Sequence, residues 1–370
     1  MKVLFSSNLA WSVYNFRAKL LLELQNSGAE IFVIAKADSY SKKLEELGFV
    51  FIPIEINNNS LNPISDLKTF FSYLKLYRKI KPDIILHNAI KPNIYGSIAA
   101  GLLSTPTINN ISGLGTLFIK KSYATYIARF LYKFSLRFAT IVFFQNSTDK
   151  TLFENSRMIS KTQSRLIPGS GVDTSLFSPS EYVESKPFSF LLIARLLKDK
   201  GVVEYYEAAK LLKEKYKDQI ICNILGPFYK SNSSSITEDQ FYSWQTSGAI
   251  NYLGFSDNVR EFISKANSVV LPSYREGLSK VLIEASSMAK PIVTTDVPGC
   301  KDVVIDGYNG FLCKPKDKQD LFEKMEKMFL LSSEKRKKMG ENARIRAIEH
   351  FDEKIVISHY KNEIDKIIIS

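Results

Sequence analysis

The sequence predicts an α/β protein built from two doubly wound domains, each with a parallel sheet. Three observations support this fold class. The chain has 370 residues, which is more than one compact core usually holds. Short apolar runs alternate with helical patterns along its length, as is typical of parallel sheets. This alternation pauses near residue 170 and restarts near residue 188, so we expect one domain on either side.

The first domain is predicted to span residues 1–170. Its apolar runs have strand length and are bounded by turn residues. Between them, apolar residues recur every three to four positions, as on one face of a helix. The predicted strands are 3–6, 30–35, 50–54, 83–87, 107–111 and 141–145, and the predicted helices are 16–27, 41–47, 63–80, 93–103 and 123–138.

The second domain is predicted at residues 188–352, after a Pro/Ser/Glu-rich linker at 171–187. A C-terminal helix at about 353–370 is expected to pack back on the first domain. Sheets of this kind bind ligands at the carboxyl ends of their strands, and we expect a cleft there between the domains. The predicted strands are 188–194, 220–225, 250–253, 268–271 and 291–294, with helices at 202–216, from about 278 to 290, and at the polar end of the chain.

Composition excludes several classes of protein. With 45% hydrophobic and 24% charged residues, the chain can form a sizeable core and is not a disordered polymer. No run approaches the roughly 18 apolar residues of a membrane span. The three cysteines are far apart and form no C-x-x-C pair, which argues against a disulfide framework or a zinc site. We therefore expect a protein of the reducing cytoplasm.

The first candidate site follows the predicted strand 268–271. A turn carries Glu276, and a helix is expected to start near Leu278, so the N–H groups of Gly277, Leu278 and Ser279 are suited to phosphate or a polar sugar. Glu284 lies about one and a half turns further on, and helical side chains lean toward the N-terminus, so its carboxylate can reach the same place. The alternative is a capping carboxylate and a solvated helix residue.

The second candidate site follows the apolar strand 188–194. Arg195 stands at the carboxyl end of that strand, and Lys200 comes across a short loop just before a helix. Two cations beside a helix N-terminus are suited to bind a diphosphate. The alternative is a pair of solvated loop charges.

These motifs together resemble the retaining family-four glycosyltransferases, and the resemblance covers essentially the whole chain. It rests on Glu276-x7-Glu284, the Arg195 and Lys200 pair, Val297-Pro298-Gly299-Cys300 and Gly307-Tyr308-Asn309-Gly310. Within that family, the runs His87–Asn93, Ser112–Thr116 and Ser60–Pro63 are similar to bacterial polyprenyl-diphosphate-linked saccharide transferases, N-acetylgalactosaminyltransferases in particular. The implied fold is GT-B, with two Rossmann-like domains facing a central cleft.

The resemblance also implies an activity. A sugar, best guessed as N-acetylgalactosamine, would pass from a UDP-sugar to a polyprenyl-diphosphate-linked saccharide in bacterial surface-polysaccharide or glycoprotein glycan assembly. UDP-N-acetylglucosamine, UDP-glucose, UDP-galactose or a GDP-sugar are alternative donors. The chain has no Asp-x-Asp, the usual metal-holding signature of the other main transferase fold, so neither a metal nor another cofactor is expected.

The family pattern assigns roles to individual residues. Glu284 would bind the ribose, Glu276 the hydroxyls of the transferred sugar, and Arg195 and Lys200 the diphosphate. The base would lie against backbone near Gly226 and Phe255. Cations and helix N–H groups would stabilise the negative charge that develops on the leaving diphosphate.

Four residues of the first domain are candidates for acceptor or sugar contacts. Asn15 and Arg17 are predicted at the start of the first helix, His87 ends a strand, and Lys91 follows it. For Arg17 the alternative is a solvated helix charge, and for His87 it is a structural histidine with satisfied hydrogen bonds.

The net charge of +12 is concentrated in the first domain. Residues 1–178 hold 21 Lys and Arg against 11 Asp and Glu, a net +10, and the remaining 29 and 27 leave +2. Helix 123–138 has an apolar side bordered by cations, as expected for peripheral binding to anionic lipid at the cytoplasmic face of the bacterial inner membrane; an internal helix with a solvated edge is the alternative. The cations are Lys120, Lys121, Arg129, Lys133 and Arg137, and the segment 70–79 is a second candidate.

Two other classes of function fit the sequence less well. The basic bias would suit a nucleic-acid-binding protein, but no nucleic-acid-binding motif accompanies it. A nucleotide-sugar 2-epimerase of the same fold would need more cleft acids and histidines. Gly113-x-Gly115 lacks the third glycine of a dinucleotide-binding motif, which argues against a nicotinamide site.

Overall fold

A computed structural model describes residues 1–56, 62–114, 123–180, 186–229, 232 and 234–369. The chain divides into two compact units. The first contains Met1–Ser170 and Lys354–Ser370, and the second contains Gly171–Glu353. Each unit contains a parallel sheet with helices on both faces. The predicted α/β fold class, with two doubly wound sheets, is confirmed.

The first unit has a seven-stranded sheet in the order β3-β2-β1-β4-β5-β6-β7. Its strands are β1 Lys2–Leu9, β2 Glu30–Lys36, β3 Val50–Pro53, β4 Ile84–Asn88, β5 Thr107–Ile111, β6 Ile141–Phe144 and β7 Ser164–Leu166. Its helices are α1 Ala10–Asn26, α2 Ser41–Glu46, α3 Pro63–Ile80, α4 Ser97–Gly101, α5 Tyr123–Ser135 and α6 Ser147–Asn155, with a π-helical turn at Pro92–Gly96 and a 3-10 turn at Leu136–Phe138.

Both faces of this sheet are covered because its strands are apolar on both sides. Val3 and Phe5 of β1 join the core formed with α1 and α2, whereas Leu4 between them joins the core formed with α3 and α4. In the same way Phe143 faces the α1 side and Val142 faces α5. The helices α3, α4 and α5 therefore share one face of the sheet.

The second unit has a six-stranded sheet in the order β10-β9-β8-β11-β12-β13. Its strands are β8 Phe188–Ile193, β9 Ile220–Leu225, β10 Asn251–Tyr252, β11 Ser268–Leu271, β12 Ile292–Thr295 and β13 Gly310–Cys313. Its helices are α7 Val202–Tyr216, α8 Glu238–Thr246, α9 Val259–Lys265, α10 Lys280–Ser287, α11 Lys318–Leu330 and α12 Ser333–His350. Helices α7, α8 and α11 cover one face, and α9 and α10 cover the other.

The predicted linker at 171–187 differs from the observed division, because the chain joins the second unit already at Gly171. The backbone N–H of Val172 donates to Phe351 O at 2.8 Å, and the N–H of Glu353 donates to Val172 O at 3.0 Å. Arg344 on α12 donates to Thr174 O at 2.8 Å. These bonds tie the segment after Gly171 into the second unit.

The C-terminal helix, α13 Glu353–Ile369, packs on the first unit. Tyr360 is buried in the core on the α1 side, and its ring lies 4.7 Å from that of Phe143. Arg165 of β7 pairs with Glu363 at 3.3 Å. The chain thus completes the first unit after it has built the second.

One element boundary differs clearly from its prediction. Helix α1 begins at Ala10, six residues before the predicted Phe16. The N–H of Trp11 donates to Asp38 Oδ2 at 2.8 Å, so a carboxylate from beyond β2 caps the helix. Since local sequence contains no such signal, the start was predicted too late.

Candidate functional site

Three loops meet at one edge of the second sheet. Strands β8, β11 and β12 are neighbours in that sheet and run parallel. The loops that follow their carboxyl ends therefore lie side by side. They contain, respectively, Arg195 to Gly201, Pro272 to Ser279, and Asp296 to Cys300.

Lys200 and Glu276, which sequence reasoning placed in two separate motifs, are brought together at this edge. Lys200 Nζ lies 2.5 Å from Glu276 Oε1. Ser273 Oγ donates to the same oxygen at 2.7 Å. The side chains of Lys200 and Glu276 remain 20% and 15% exposed, so an incoming polar molecule can reach the pair.

Two glycines allow these loops to approach each other. A Cβ on Gly201, whose φ is +71°, would lie 2.1 Å from Pro272 O. A Cβ on Gly299, whose φ is +80°, would lie 2.6 Å from the backbone of Glu276. The N–H of Glu276 donates to Pro298 O at 3.0 Å. The loop after β12 therefore supports the backbone of Glu276, and only glycine fits at its closest point.

Helix α10 starts later than predicted. Its N-cap is Ser279, whose side chain accepts from Leu282 N, and Gly277 and Leu278 lie in the preceding loop. The N–H of Ser279 donates to Gly299 O at 3.0 Å. The prediction that the Ser279 N–H is a free donor for a ligand is therefore wrong.

Glu284 is a buried carboxylate on α10, with a residue exposure of 7%. Burial raises the pKa of its carboxyl group to about 7, and the nearby Lys280 opposes this rise. Lys280 Nζ lies 3.9 Å from Glu284 Oε1. Because a buried carboxylate is costly without strong partners, Glu284 is suited to accept hydrogen bonds from ligand hydroxyls.

The remaining donor-site candidates lie at the carboxyl ends of β8, β9 and β10. Arg195 is exposed, and its guanidinium carbon lies 5.2 Å from the ring centroid of Tyr229. A Cβ on Gly226 would lie 1.8 Å from Ala194 O, so the backbone is tightly packed there. Phe255 is 58% exposed. Because the strands of this sheet are parallel, Arg195, Gly226 and Phe255 all lie at the same edge of the sheet as Glu276.

His87 in the first unit has a structural environment. It is 1% exposed, and its Nε2 forms a 2.9 Å hydrogen bond with the Tyr77 hydroxyl. Burial lowers the pKa of its imidazole to about 3. Of the two roles left open by the sequence, the structure supports the satisfied structural histidine and not the acceptor contact.

Lys91 is also enclosed. It is 7% exposed, and its Nζ lies 2.5 Å from Asp66 Oδ1, while the Tyr95 hydroxyl donates to Asp66 Oδ2 at 2.7 Å. An ammonium held in this way is already neutralised. The prediction of Lys91 as an acceptor contact is therefore not supported by its surroundings.

Arg17 and Asn15 differ from each other. Arg17 is 3% exposed, donates to Gly169 O at 3.4 Å and lies 5.8 Å from the ring of Tyr360. Both roles considered for Arg17 need an accessible guanidinium, and this burial contradicts them. Asn15 is exposed and donates to Trp11 O at 2.9 Å. Because α1 begins at Ala10, both residues lie well inside the helix.

The candidate membrane residues have mixed outcomes. Lys120 and Lys121 lie outside the described residues. Arg129 donates to Ser156 Oγ at 3.0 Å, whereas Lys133 and Arg137 are exposed. In the described part of the chain, no helix is both long and apolar enough to cross a bilayer.

Two residues of the site had no predicted role. Ser273 orients the carboxylate of Glu276, and Gly299 lets the loop after β12 approach the backbone of Glu276. A polar residue two positions after a buried strand was the available signal for Ser273. For Gly299 the available signal was its place in a Pro-Gly turn.

Across the ranges that the structure covers, no group of three or more His, Cys, Asp and Glu side chains could hold a metal ion.

Comparison with known proteins identifies the family. A family model described as Glycosyl transferases group 1 matches residues 176–346, and one described as Glycosyl transferase 4-like matches residues 2–146. Together they match most of the first unit and nearly all of the second.

Individual relatives agree with the family models. N,N'-diacetylbacillosaminyl-diphospho-undecaprenol alpha-1,3-N-acetylgalactosaminyltransferase from Campylobacter jejuni is 32% identical, covering 100% of this chain and 99% of that protein. UDP-Gal:alpha-D-GlcNAc-diphosphoundecaprenol alpha-1,3-galactosyltransferase from Escherichia coli is 25% identical over 72% of this chain and 71% of that one. The crystal structure of Anabaena Alr3699/HepE in complex with UDP and glucose has a TM-score of 0.80 at 18% identity, covering 99% of both chains. The chain therefore belongs to the group 1 glycosyltransferases and is a glycosyltransferase of the GT-B fold.

Proposed function

We propose that this enzyme transfers N-acetylgalactosamine, with retention of configuration, from UDP-N-acetylgalactosamine to a polyprenyl-diphosphate-linked saccharide. The observation that carries the proposal is the Lys200 and Glu276 pair, at 2.5 Å, on the loops next to the helix of Glu284. The name of the Campylobacter relative supports N-acetylgalactosamine as the sugar. The names of the Campylobacter and Escherichia relatives both support an acceptor linked to undecaprenol through a diphosphate. The complex of the Anabaena protein supports a UDP donor.

Each donor-site residue has a chemical task in this proposal. Glu284 accepts hydrogen bonds from the ribose hydroxyls, and Glu276 accepts them from the transferred sugar. Lys200 lies against Glu276, so its ammonium can bridge that carboxylate and the donor diphosphate. Arg195, exposed at the end of β8, supplies a second cation. Charge-assisted hydrogen bonds of this kind are the strong ones.

The chemical step breaks the bond between the anomeric carbon and the phosphate oxygen. The bonding electrons leave with UDP, and the acceptor hydroxyl bonds to the same face of the sugar. The leaving phosphate oxygen takes the hydroxyl proton, so no separate base is required. Lys200 and Arg195 lower the barrier because they stabilise the negative charge that grows on the diphosphate.

The reaction is proposed to need no metal, since the cations of the protein neutralise the diphosphate. Transfer should proceed at an unchanged rate after EDTA treatment. A strong inhibition that magnesium or manganese reverses would contradict this part of the proposal.

The acceptor is proposed to bind the first unit. Among the four residues predicted for this role, Asn15 is the exposed one, whereas Arg17, His87 and Lys91 are buried. Replacing Asn15 with Ala should raise the KM for the lipid-linked acceptor and leave the KM for the donor unchanged. The opposite pattern would remove Asn15 from the acceptor site.

The same unit is proposed to bind the cytoplasmic face of the inner membrane. Exposed apolar side chains occupy α5 and the N-terminal half of α3: Tyr126, Ile127, Phe130 and Phe134 on α5, and Ile64, Leu67 and Phe71 on α3. Exposed cations lie among these side chains and further along the chain: Lys133 and Arg137 on either side of Phe134, and Lys68, Lys75 and Arg78 on α3.

The orientation of these helices supports the membrane proposal. Both connect parallel strands on one face of the sheet, α3 between β3 and β4 and α5 between β5 and β6. Their N-terminal ends therefore lie toward the carboxyl edge of the sheet. Exposed apolar side chains near that edge, with cations among and beyond them, are suited to acyl chains and anionic headgroups.

Co-sedimentation with vesicles containing anionic lipid tests the membrane proposal. The double variant K133E/R137E should bind more weakly. The matched control is K42E/K43E on α2, which covers the opposite face of the sheet and should bind as the wild type does. Equal losses in both variants would indicate a general charge effect and overturn the assignment to α5.

Calorimetric titration with UDP-, GDP- and dTDP-sugars tests the donor. The proposal predicts that UDP-N-acetylgalactosamine binds most tightly. If UDP-N-acetylglucosamine, UDP-glucose or UDP-galactose binds most tightly, the proposed sugar is wrong. A preference for a GDP-sugar would overturn the proposed class of donor.

A further inference from the structure

Lys280 occupies a position that local helix physics disfavours. It is the first residue of α10, directly after the N-cap Ser279. A cation at a helix N-terminus opposes the helix dipole, and a lysine that precedes glutamate by four residues is in the less favourable order for an ion pair. Such departures from local preference are expected at functional sites.

The contacts of the Lys280 ammonium include a backbone carbonyl and a carboxylate. Its Nζ donates to Gly171 O at 2.6 Å and lies 3.9 Å from Glu284 Oε1. The Lys280 side chain is 24% exposed and that of Glu284 is 9% exposed. The ammonium is thus placed between a backbone carbonyl and the buried carboxylate.

The carbonyl that holds Lys280 is itself fixed. Gly171 has a φ of +69°, and a Cβ there would lie 2.4 Å from Glu353 Cα. The next residue, Val172, forms two backbone hydrogen bonds with the segment after α12. Its N–H donates to Phe351 O at 2.8 Å, and its carbonyl oxygen accepts from the N–H of Glu353 at 3.0 Å. A rigid acceptor fixes the ammonium, which reduces the entropy lost when it acts on Glu284.

The charge of Lys280 favours the ionised form of Glu284. Burial raises the pKa of this carboxyl group, and among the described groups Lys280 is the one whose charge opposes the rise. A carboxylate can accept hydrogen bonds from two hydroxyls, whereas a protonated carboxyl group uses one oxygen as a donor. The protonation state of Glu284 therefore decides how well it can bind a diol.

We propose that Lys280 is a positioning residue for the donor: anchored by Gly171 O, it keeps the Glu284 carboxylate ionised and oriented toward the ribose hydroxyls. This inference rests on the proposed function in assigning the ribose to Glu284. Lys280 itself touches neither the sugar nor the diphosphate in this scheme.

Titration of UDP into the full-length protein between about pH 6 and pH 9 tests the inference. If UDP binds the ionised form of Glu284, its affinity depends on the fraction of Glu284 that has lost its proton. In the wild type, affinity should fall about tenfold per pH unit below the pKa of Glu284. In K280M the fall should begin at higher pH, with an affinity loss of about tenfold near pH 7 that shrinks toward pH 9. K280R, which keeps the charge, should follow the wild type.

A double-mutant cycle separates this role from a structural one. In an E284Q background, adding K280M should change UDP affinity by less than about twofold, because the group on which Lys280 acts is gone. K265M is the matched control: Lys265 pairs with Glu261 four residues away at 2.7 Å on α9, and its loss should leave the pH profile unchanged.

Two distinct failures are possible. If K280M lowers the melting temperature but keeps the pH profile of the wild type, Lys280 only anchors the chain and the inference is overturned. If the wild type binds no UDP at any pH, the donor assignment itself fails.

Discussion

The two units end their strands with polar side chains in the same way, yet with opposite results. In the first unit, His87 near the end of β4 is 1% exposed and bonded to Tyr77. In the second, Arg195 directly after β8 is exposed, and the neighbouring loops hold Lys200 and Glu276 within reach of solvent. Position at a strand end therefore identifies where a site can form, and not whether it does.

Helix packing explains the difference. In the first unit, α3 lies over the strand ends and supplies Tyr77 as the partner of His87 and Asp66 as the partner of Lys91. Tyr95 of the π-helical turn donates to the other oxygen of Asp66. In the second unit, Lys200, Glu276 and Ser273 are partners from two neighbouring loops, which glycines bring close together. The first arrangement satisfies its polar groups internally, whereas the second leaves them accessible to a ligand.

The largest expected effect is on catalysis, in the second unit. E276Q keeps the size of the side chain but removes its charge, so transfer should slow by about 10²–10³-fold with little change in thermal stability. The rate of sugar transfer, measured with saturating donor, checks this.

E326Q is the matched control for E276Q. Glu326 on α11 pairs with Lys215 of α7 at 2.8 Å and accepts from the Tyr216 hydroxyl at 2.8 Å. Like Glu276, it therefore has one lysine and one hydroxyl as partners. E326Q should transfer sugar at the wild-type rate. Equal losses in the two variants would mean that Glu276 has no special role.

The next largest effect is on stability, in the first unit. D66N removes the counter-charge of the buried Lys91, and loss of one partner of a buried ion pair costs about 3–5 kcal/mol. Urea unfolding should show this loss, and D66N/K91M should recover most of it. The affinity of the folded protein for the donor should not change. A loss of donor affinity in D66N would contradict a purely structural role for the Asp66 and Lys91 pair.

A smaller effect is expected from the loop contacts. G299A places a Cβ 2.6 Å from the Glu276 backbone, which must shift the carboxylate and should lower the transfer rate about tenfold. G307A is the matched control, because Gly307 has a similar φ of +74° with nothing within 4 Å. Its strain of about 1 kcal/mol should lower only the melting temperature. Identical rates in the two variants would exclude the proposed support of Glu276.

The most gradual effects are pH slopes of stability, limited to about 1.4 kcal/mol per pH unit for one group. The pKa of His87 falls from its ordinary 6.5 to about 3 on folding, so the unfolded chain binds the proton first and stability drops as pH falls through that window. The pKa of Glu284 rises from 4.5 to about 7, so the folded chain binds the proton first and stability drops as pH rises from 4.5 to 7.

Unfolding curves of H87Q and E284Q, each compared with the wild type, measure these slopes. H87Q should remove the loss of stability below about pH 6.5. E284Q should be more stable than the wild type above about pH 7 and lose that advantage toward pH 4.5. Slopes of the same sign would contradict the assigned burial of one of the two groups.

Much of the fold could be predicted because its elements carry local signals. The predicted bounds of α3, Pro63–Ile80, and of α7, Val202–Tyr216, agree with the structure. The start of α1 could not be predicted, because Asp38 caps it from a distant loop. The edge strands β7, Ser-Arg-Leu, and β13, Gly-Phe-Leu-Cys, were not predicted because neither forms an apolar run of typical strand length.

The site was predictable to a different degree in each unit. Arg195, Lys200, Glu276 and Glu284 could be proposed because a strand, a turn and a helix carry them in a recognisable spacing, and their role in a donor site stays a prediction. The contact between Lys200 and Glu276 crosses 76 positions and depends on strand order. The enclosure of His87 and Arg17 depends on side chains from α3 and α13, which no local pattern reveals.

The most direct test of the contrast between the units is calorimetric titration of UDP-N-acetylgalactosamine into E284Q and H87Q at about pH 8, where Glu284 is mainly ionised and His87 neutral. Both variants must first show wild-type circular dichroism. We expect E284Q to lose about tenfold or more in affinity and H87Q to bind as the wild type does. Wild-type affinity in E284Q, or an equal loss in both, would contradict a donor site on the second unit.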